Sequence, residues 1–130
     1  MAQFGGDIYQ EIVDTMGLDI EAYLRDLMQR QATPVGIVAF DDHVALRVLS
    51  AANKLHIDIP SRLRLIGINN DYIAKESYPG ISSWDIPYDD QAQMAIHKLM
   101  QKIGNKAETG EEREIEVPLT FIERGTTKLQ

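Results

Sequence analysis

The chain has 130 residues, 44% of them hydrophobic, which suits one domain with a single packed core. It contains no cysteine, so a disulfide framework, a thiolate metal site and a cysteine nucleophile are all excluded, and a reducing cytoplasm is allowed. The formal net charge of −7, with Lys and Arg scattered along the chain, repels phosphate backbones and argues against DNA binding by this stretch.

Met1 to Gly6 shows no basic region followed by an apolar one, and nowhere is there an apolar run of bilayer length. Gln10 to Thr15 is a short, weak strand candidate, and Gly17 breaks the chain after it. Asp19 suits the N-cap of a helix that carries Ile20, Leu24, Leu27 and Met28 on one face and ends near Gln31. After the turn at Thr33-Pro34, the run Val35 to Phe40 is too short for a core helix and rich in β-branched residues. It reads as a central parallel strand covered on both faces. Asp41-Asp42 opens a second helix, with Val44, Val48, Leu49, Ala52 and Leu55 as its buried stripe. Ile59-Pro60 stops the connection, and Leu63 to Ile68 is the next strand, ending in the polar turn Asn69-Asn70-Asp71.

A loop through Tyr78-Pro79-Gly80 leads to the short segment Ile81 to Ile86. A helix then starts near Pro87, with Asp89 and Asp90 in its first turn, Lys98 and Lys102 toward its end, and Gly104 at the expected C′ position. Its apolar stripe is Ala92, Ile96, Leu99 and Ile103. Asn105 to Arg113 reads as a polar, mobile loop, and Ile115 to Ile122 as a last strand before the turn at Arg124-Gly125-Thr126. Strands and helices taking turns predict an α/β fold, a parallel sheet flanked by helices through right-handed crossovers, doubly wound.

Four segments carry a resemblance. Pro34 to Phe40 followed by Asp41-Asp42-His43-Val44-Ala45-Leu46 is similar to the strand-to-helix signature of the LacI/GalR regulators. Ile59-Pro60 with Leu65-Ile66-Gly67-Ile68-Asn69-Asn70 resembles the signature that follows it, with Asn-Asn standing where an Asp pair is usual. Ile81 to Asp85 with Pro87-Tyr88, and Glu123 to Thr127, resemble the family's later segments. The resemblance covers Asp19 to Thr127 and implies one incomplete lobe of a periplasmic-binding-protein-like type I domain that clamps a sugar or sugar-like effector. It divides the chain into a lead over residues 1–18, a C-terminal-lobe core over 19–80, a crossover and helix over 81–104 that belong to the other lobe, and a loop and final strand over 105–130. The implied parent is a cytoplasmic, sugar-responsive transcription regulator that is not an enzyme, uses no cofactor, and touches DNA only through a separate headpiece.

Ligands of open α/β sheets sit beyond the carboxyl ends of the strands, and Asp41 and Asn69 each end a strand. A carboxylate only accepts hydrogen bonds while an amide both donates and accepts, so the pair suits vicinal hydroxyls. The resemblance makes Asp41 and Asn69 ligand contacts and leaves Asp42 as the helix cap; the bland alternative is that both aspartates cap and Asn69 only forms a turn. Tyr88 stands at the family's aromatic position on the hinge side, and Trp84 offers a face for stacking on a pyranose. By the same resemblance, Leu46, Arg47 and Tyr78 are candidates for a two-fold homodimer contact, and the stripe of the 88–103 helix needs a cover outside this lobe. His43, His56 and His97 lack carboxylate companions at ligand spacing, so no metal site is expected. A transport or chemotaxis binding protein would share the fold but need an export signal. A phosphoacceptor receiver domain would place its acidic pair after the first strand and a lysine after the last core strand.

Overall fold

The computed structural model describes residues 17–104 and 115–129. The strand expected at Gln10 to Thr15 and the loop expected at Asn105 to Arg113 lie outside them. The helix α1 (Ile20–Arg30) starts where Asp19 caps it, the carboxylate accepting from the Ala22 amide at 3.1 Å. Ile20, Leu24 and Leu27 recur at helical spacing and are buried together. Next come β1 (Val35–Val38), α2 (Asp42–Lys54) and β2 (Leu63–Ile68), followed by α3 (Tyr72–Glu76) and β3 (Ser82–Asp85). The chain continues through α4 (Tyr88–Ile103) to β4 (Thr120–Ile122).

The four strands form one sheet in the order β1-β2-β3-β4. β1 pairs with β2 and β2 with β3 in parallel, while β4 returns antiparallel to β3. Leu63 and Leu65 of β2 are fully buried and point toward α2, whose Ala45, Val48, Leu49, Ala51 and Ala52 complete the core with α1. α1 and α3 both pack on α2, so the three helices form one layer. Successive right-handed crossovers in one direction put every connecting helix on the same side of the sheet. The other side stays open among the described residues.

Among the described residues, that geometry departs from the expectation of Val35 to Phe40 as a central strand covered on both faces. Among the described residues β1 is an edge strand that ends at Val38, and exposure alternates along it, Val38 at 68% and Phe40 at 84%. A run that is apolar at every position shows no face preference, so periodicity did not tell an edge from a centre. The last strand is also shorter than Ile115 to Ile122: Pro118 lacks an N–H for a ladder, and pairing starts at Thr120. Gly104 is the C-cap of α4 with an ordinary negative φ of −76°, not a left-handed C′ glycine. The five-residue α3 is too short to show a period in the sequence.

Two clamps tie distant segments to the core. The Arg62 guanidinium donates to the carbonyls of Met28, Gln31 and Thr33 and so closes the C-terminal end of α1. Thr126, fully buried, donates through Oγ1 to the Leu65 carbonyl at 2.6 Å and accepts from the Ser82 amide at 2.9 Å. Ser82 Oγ in turn lies 2.7 Å from Thr127 Oγ1 and accepts from the Arg124 amide at 2.8 Å. The closing Arg-Gly-Thr-Thr segment thus acts as a polar plug between β2 and β3.

α4 stands apart. None of its residues is buried, and Ile96, Leu99 and Ile103 are 62%, 57% and 68% exposed. Its other side shares a shallow groove with Ile115 and Val117, lined by Gln91, Met94, Ala95 and Lys98.

Candidate functional site

Asp41 and Asn69 follow the carboxyl ends of β1 and β2, two adjacent parallel strands, so the fold brings them to the same edge of the sheet. Asp41 is also the N-cap of α2: its Oδ1 accepts from the Val44 amide at 2.7 Å. This corrects the division of labour expected for the aspartate pair, because the cap is Asp41 and not Asp42. Capping occupies one carboxylate oxygen and leaves the group its further acceptor capacity.

Asp42, the first residue of the helix, is fully buried. Its Oδ2 accepts from the Asp71 amide at 2.7 Å and its Oδ1 from the Ser83 hydroxyl at 2.7 Å. The sequence had no signal for this role, since adjacent acidic residues at a helix start read alike. Two serines inside a strand, Ser82-Ser83, were the signal available for a buried polar network, and both are fully buried.

The turn after β2 is built around two asparagines in left-handed backbone, Asn69 at φ 100° and Asn70 at φ 52°. Asparagine is among the few side-chain-bearing residues that tolerate this region. The Asn69 amide donates to the Trp84 carbonyl at 2.9 Å, and the Asn70 amide donates to Ser83 Oγ at 3.0 Å. The Asn70 side chain donates to Asp85 Oδ1 at 3.1 Å and accepts from the Arg124 guanidinium, so one neutral amide joins a carboxylate to a cation. This explains chemically why Asn fits where an Asp pair is usual: a second carboxylate at position 70 would face Asp85.

Tyr88, the first residue of α4, donates its hydroxyl to Asn69 Oδ1 at 2.7 Å. Among the described residues this leaves the Asn69 side-chain N–H donors for another acceptor. Trp84 pairs with Ile68 in the β2–β3 register, is 37% exposed, and stacks at a tilt of 53° on Phe121 with ring centroids 5.1 Å apart. Asn69 is thus joined to Tyr88 through its side chain and to Trp84 through its backbone at the end of β2 and β3, and Asp41 stands beyond the end of the neighbouring strand. The result is an aromatic and amide-lined rim with an acceptor carboxylate beside it.

Leu46 and Arg47 on α2 and Tyr78 beyond α3 are all at the surface, Tyr78 at 92% exposure. Among the described residues no group of three His, Asp or Glu side chains gathers into a set that could hold a metal, and no helix is long and apolar enough to cross a membrane.

Asp41 and Asn69 stand beyond the carboxyl ends of parallel strands, the place where open α/β sheets take their ligands. The sequence pattern of the periplasmic binding protein-like domain family matches residues 6–127. The sucrose operon repressor of Streptococcus mutans is 29% identical over 86 residues, 66% of this chain and 27% of that protein. The solved structure of the transcription regulator CcpA of Lactococcus lactis superposes with a TM-score of 0.70 at 25% identity, over 84% of this chain and 39% of that one. A periplasmic binding protein/LacI transcriptional regulator from Alkaliphilus metalliredigens, solved in complex with D-xylulofuranose, gives a TM-score of 0.56 at 27% identity, over 72% of this chain and 35% of that one. The chain belongs to the periplasmic binding protein-like domain family, within it to the effector-binding domains of LacI-type regulators. It spans between about a quarter and two fifths of the length of these relatives.

Proposed function

We propose that this chain is the C-terminal part of the effector-sensing and dimerisation domain of a cytoplasmic, sugar-responsive LacI-type transcription regulator. Asp41, Asn69, Tyr88 and Trp84 are its half of the sugar site. The observation that carries this reading is the rim itself: a carboxylate and an amide on adjacent parallel strands, with the Asn69 carbonyl oxygen taken by Tyr88 so that the amide is turned into a donor. An acceptor beside a donor matches two neighbouring hydroxyls, and Trp84 supplies a face for the C–H side of a sugar ring. The sugar-bound relative is consistent with this class of ligand. No bond is broken in this function. The effector shifts an equilibrium of lobe orientations, and a homodimer with contacts at Leu46, Arg47 and Tyr78 passes the shift to DNA-binding headpieces.

With only one jaw of the clamp, this chain is expected to bind sugars weakly. NMR titration with D-xylulose, D-ribose, D-glucose and sucrose should move amide resonances at Asp41, Asn69, Trp84 and Tyr88 for at least one of them. Perturbations confined to other surfaces, or tight binding of a non-sugar at those residues, would refute the reading.

A further inference from the structure

We propose that Asp42 is the positioning residue of this rim, fixing Asp41 and Asn69 relative to each other through its paired bonds to the Asp71 amide and the Ser83 hydroxyl. The inference rests on the sugar-site reading for what is positioned, but its geometry stands without it.

Asp42 is a fully buried carboxylate, and such a group is costly unless hydrogen-bond donors take the place of water at both of its oxygens. Three things replace water here. The Asp71 N–H bonds one oxygen and the Ser83 O–H the other, each at 2.7 Å, and the position at the start of α2 adds the favourable end of the helix dipole. The carboxylate also fills the space that a side chain on Gly67 would need: a Cβ there would stand 2.0 Å from Asp42 Oδ1. One group thereby meets four segments, the start of α2, the carboxyl end of β2, the turn after β2, and β3.

Two of these segments carry the candidate ligand contacts. Asp41 immediately precedes Asp42, and Asn69 lies two residues before Asp71. The Asp42–Asp71 bond therefore closes a short bracket between them. Ser83 strengthens it from behind, because its hydroxyl accepts from the Asn70 amide at 3.0 Å and must pass its own proton onward. Two donors, Asp71 N–H and Ser83 O–H, thus require two acceptors at one place. Aspartate supplies both, whereas asparagine supplies one and turns a donor against the other. A binding pair needs to be held to about 0.5 Å, and a loop in left-handed backbone at two successive residues does not hold itself.

Backbone hydrogen exchange on the full chain tests this, comparing wild type with Asp42→Asn and the milder Ser83→Ala. Both variants should speed exchange at Asp71 and Asn70 by about tenfold or more, while Leu65 and Val48 stay within about twofold of wild type. The Asp71 amide proton should also lose the downfield shift expected of a bond to a carboxylate in Asp42→Asn. Unchanged exchange at Asn70 and Asp71 overturns the proposal. An equal rise in turn and core also overturns it, by making Asp42 a general stability residue. If Asp42→Asn does not fold, Ser83→Ala decides alone, since it leaves the carboxylate in place. Faster turn exchange together with no response of the wild-type rim to D-xylulose, D-ribose, D-glucose or sucrose upholds the bracket and removes only the sugar.

Discussion

Asp41 has two roles that a pair of substitutions separates. Asparagine keeps an oxygen for the Val44 amide, so Asp41→Asn should leave stability nearly unchanged, while Asp41→Ala should cost about 1 kcal/mol in urea unfolding through loss of the cap. Sugar-induced shifts, in contrast, should weaken in both variants, because the charge-assisted acceptor is gone from each. A second residue-scale expectation concerns Thr126. Thr126→Val keeps the shape but orphans the buried Leu65 carbonyl and Ser82 amide, a loss of about 2 to 3 kcal/mol readable from the urea midpoint. Asp41 and Asn69 stand at strand ends, a local signal, but it is the family resemblance that makes them and Tyr88 candidate contacts, and Trp84 is a candidate through its aromatic face. Asp42 could not be told from Asp41, nor could the closing Thr126 be given a role. Their partners lie 29 to 61 residues away in the chain, and no short-range pattern encodes them.

At the scale of elements, the local signals of α1, α2 and β2 were strong. Cap and period at Asp19, the helix start at the aspartate pair and the run Leu63 to Ile68 are all followed by the structure, although the cap of α2 is Asp41 and not Asp42. Among the described residues β1 stands at an edge and not in the expected central place, since a uniformly apolar strand fits either position. For α4 the stripe Ile96, Leu99 and Ile103 was legible, and the structure leaves it uncovered among the described residues. Self-association through this helix is the expected outcome in the isolated chain. Sedimentation of Leu99→Glu should give a smaller average mass than wild type at equal concentration, with an unfolding midpoint close to wild type because Leu99 is 57% exposed. α1 and α2 are joined at the surface by Lys54 and Glu21, and the hydrogen bond and charge of Glu21 raise the Lys54 pKa above 10.5. A raised ammonium pKa means that the contribution is complete below that value and disappears as pH climbs beyond it. Lys54→Met should thus matter little at pH 7, where solvent screens the pair, and should flatten any alkaline loss of stability due to this tie.

Among the described residues the molecule has one helical layer, one open sheet face and one projecting helix. That combination explains why the fold class was readable from alternating elements while the quaternary arrangement was not. Alternation fixes the sequence of crossovers, but what covers Val38, Phe40 and the stripe of α4 depends on surfaces that no periodicity within these residues describes. The chain spans 27% of the sucrose operon repressor and 39% of the lactococcal regulator.

One consequence comes from Trp84. It is the sole indole of the chain, and it sits beside Asn69 with its ring against Phe121. Ultraviolet emission excited at the red edge of the absorption band therefore arises from one known place, the carboxyl end of β3. Spectral position, quenching by iodide and anisotropy all become local gauges of that end of the sheet, with no label attached and no second emitter to subtract.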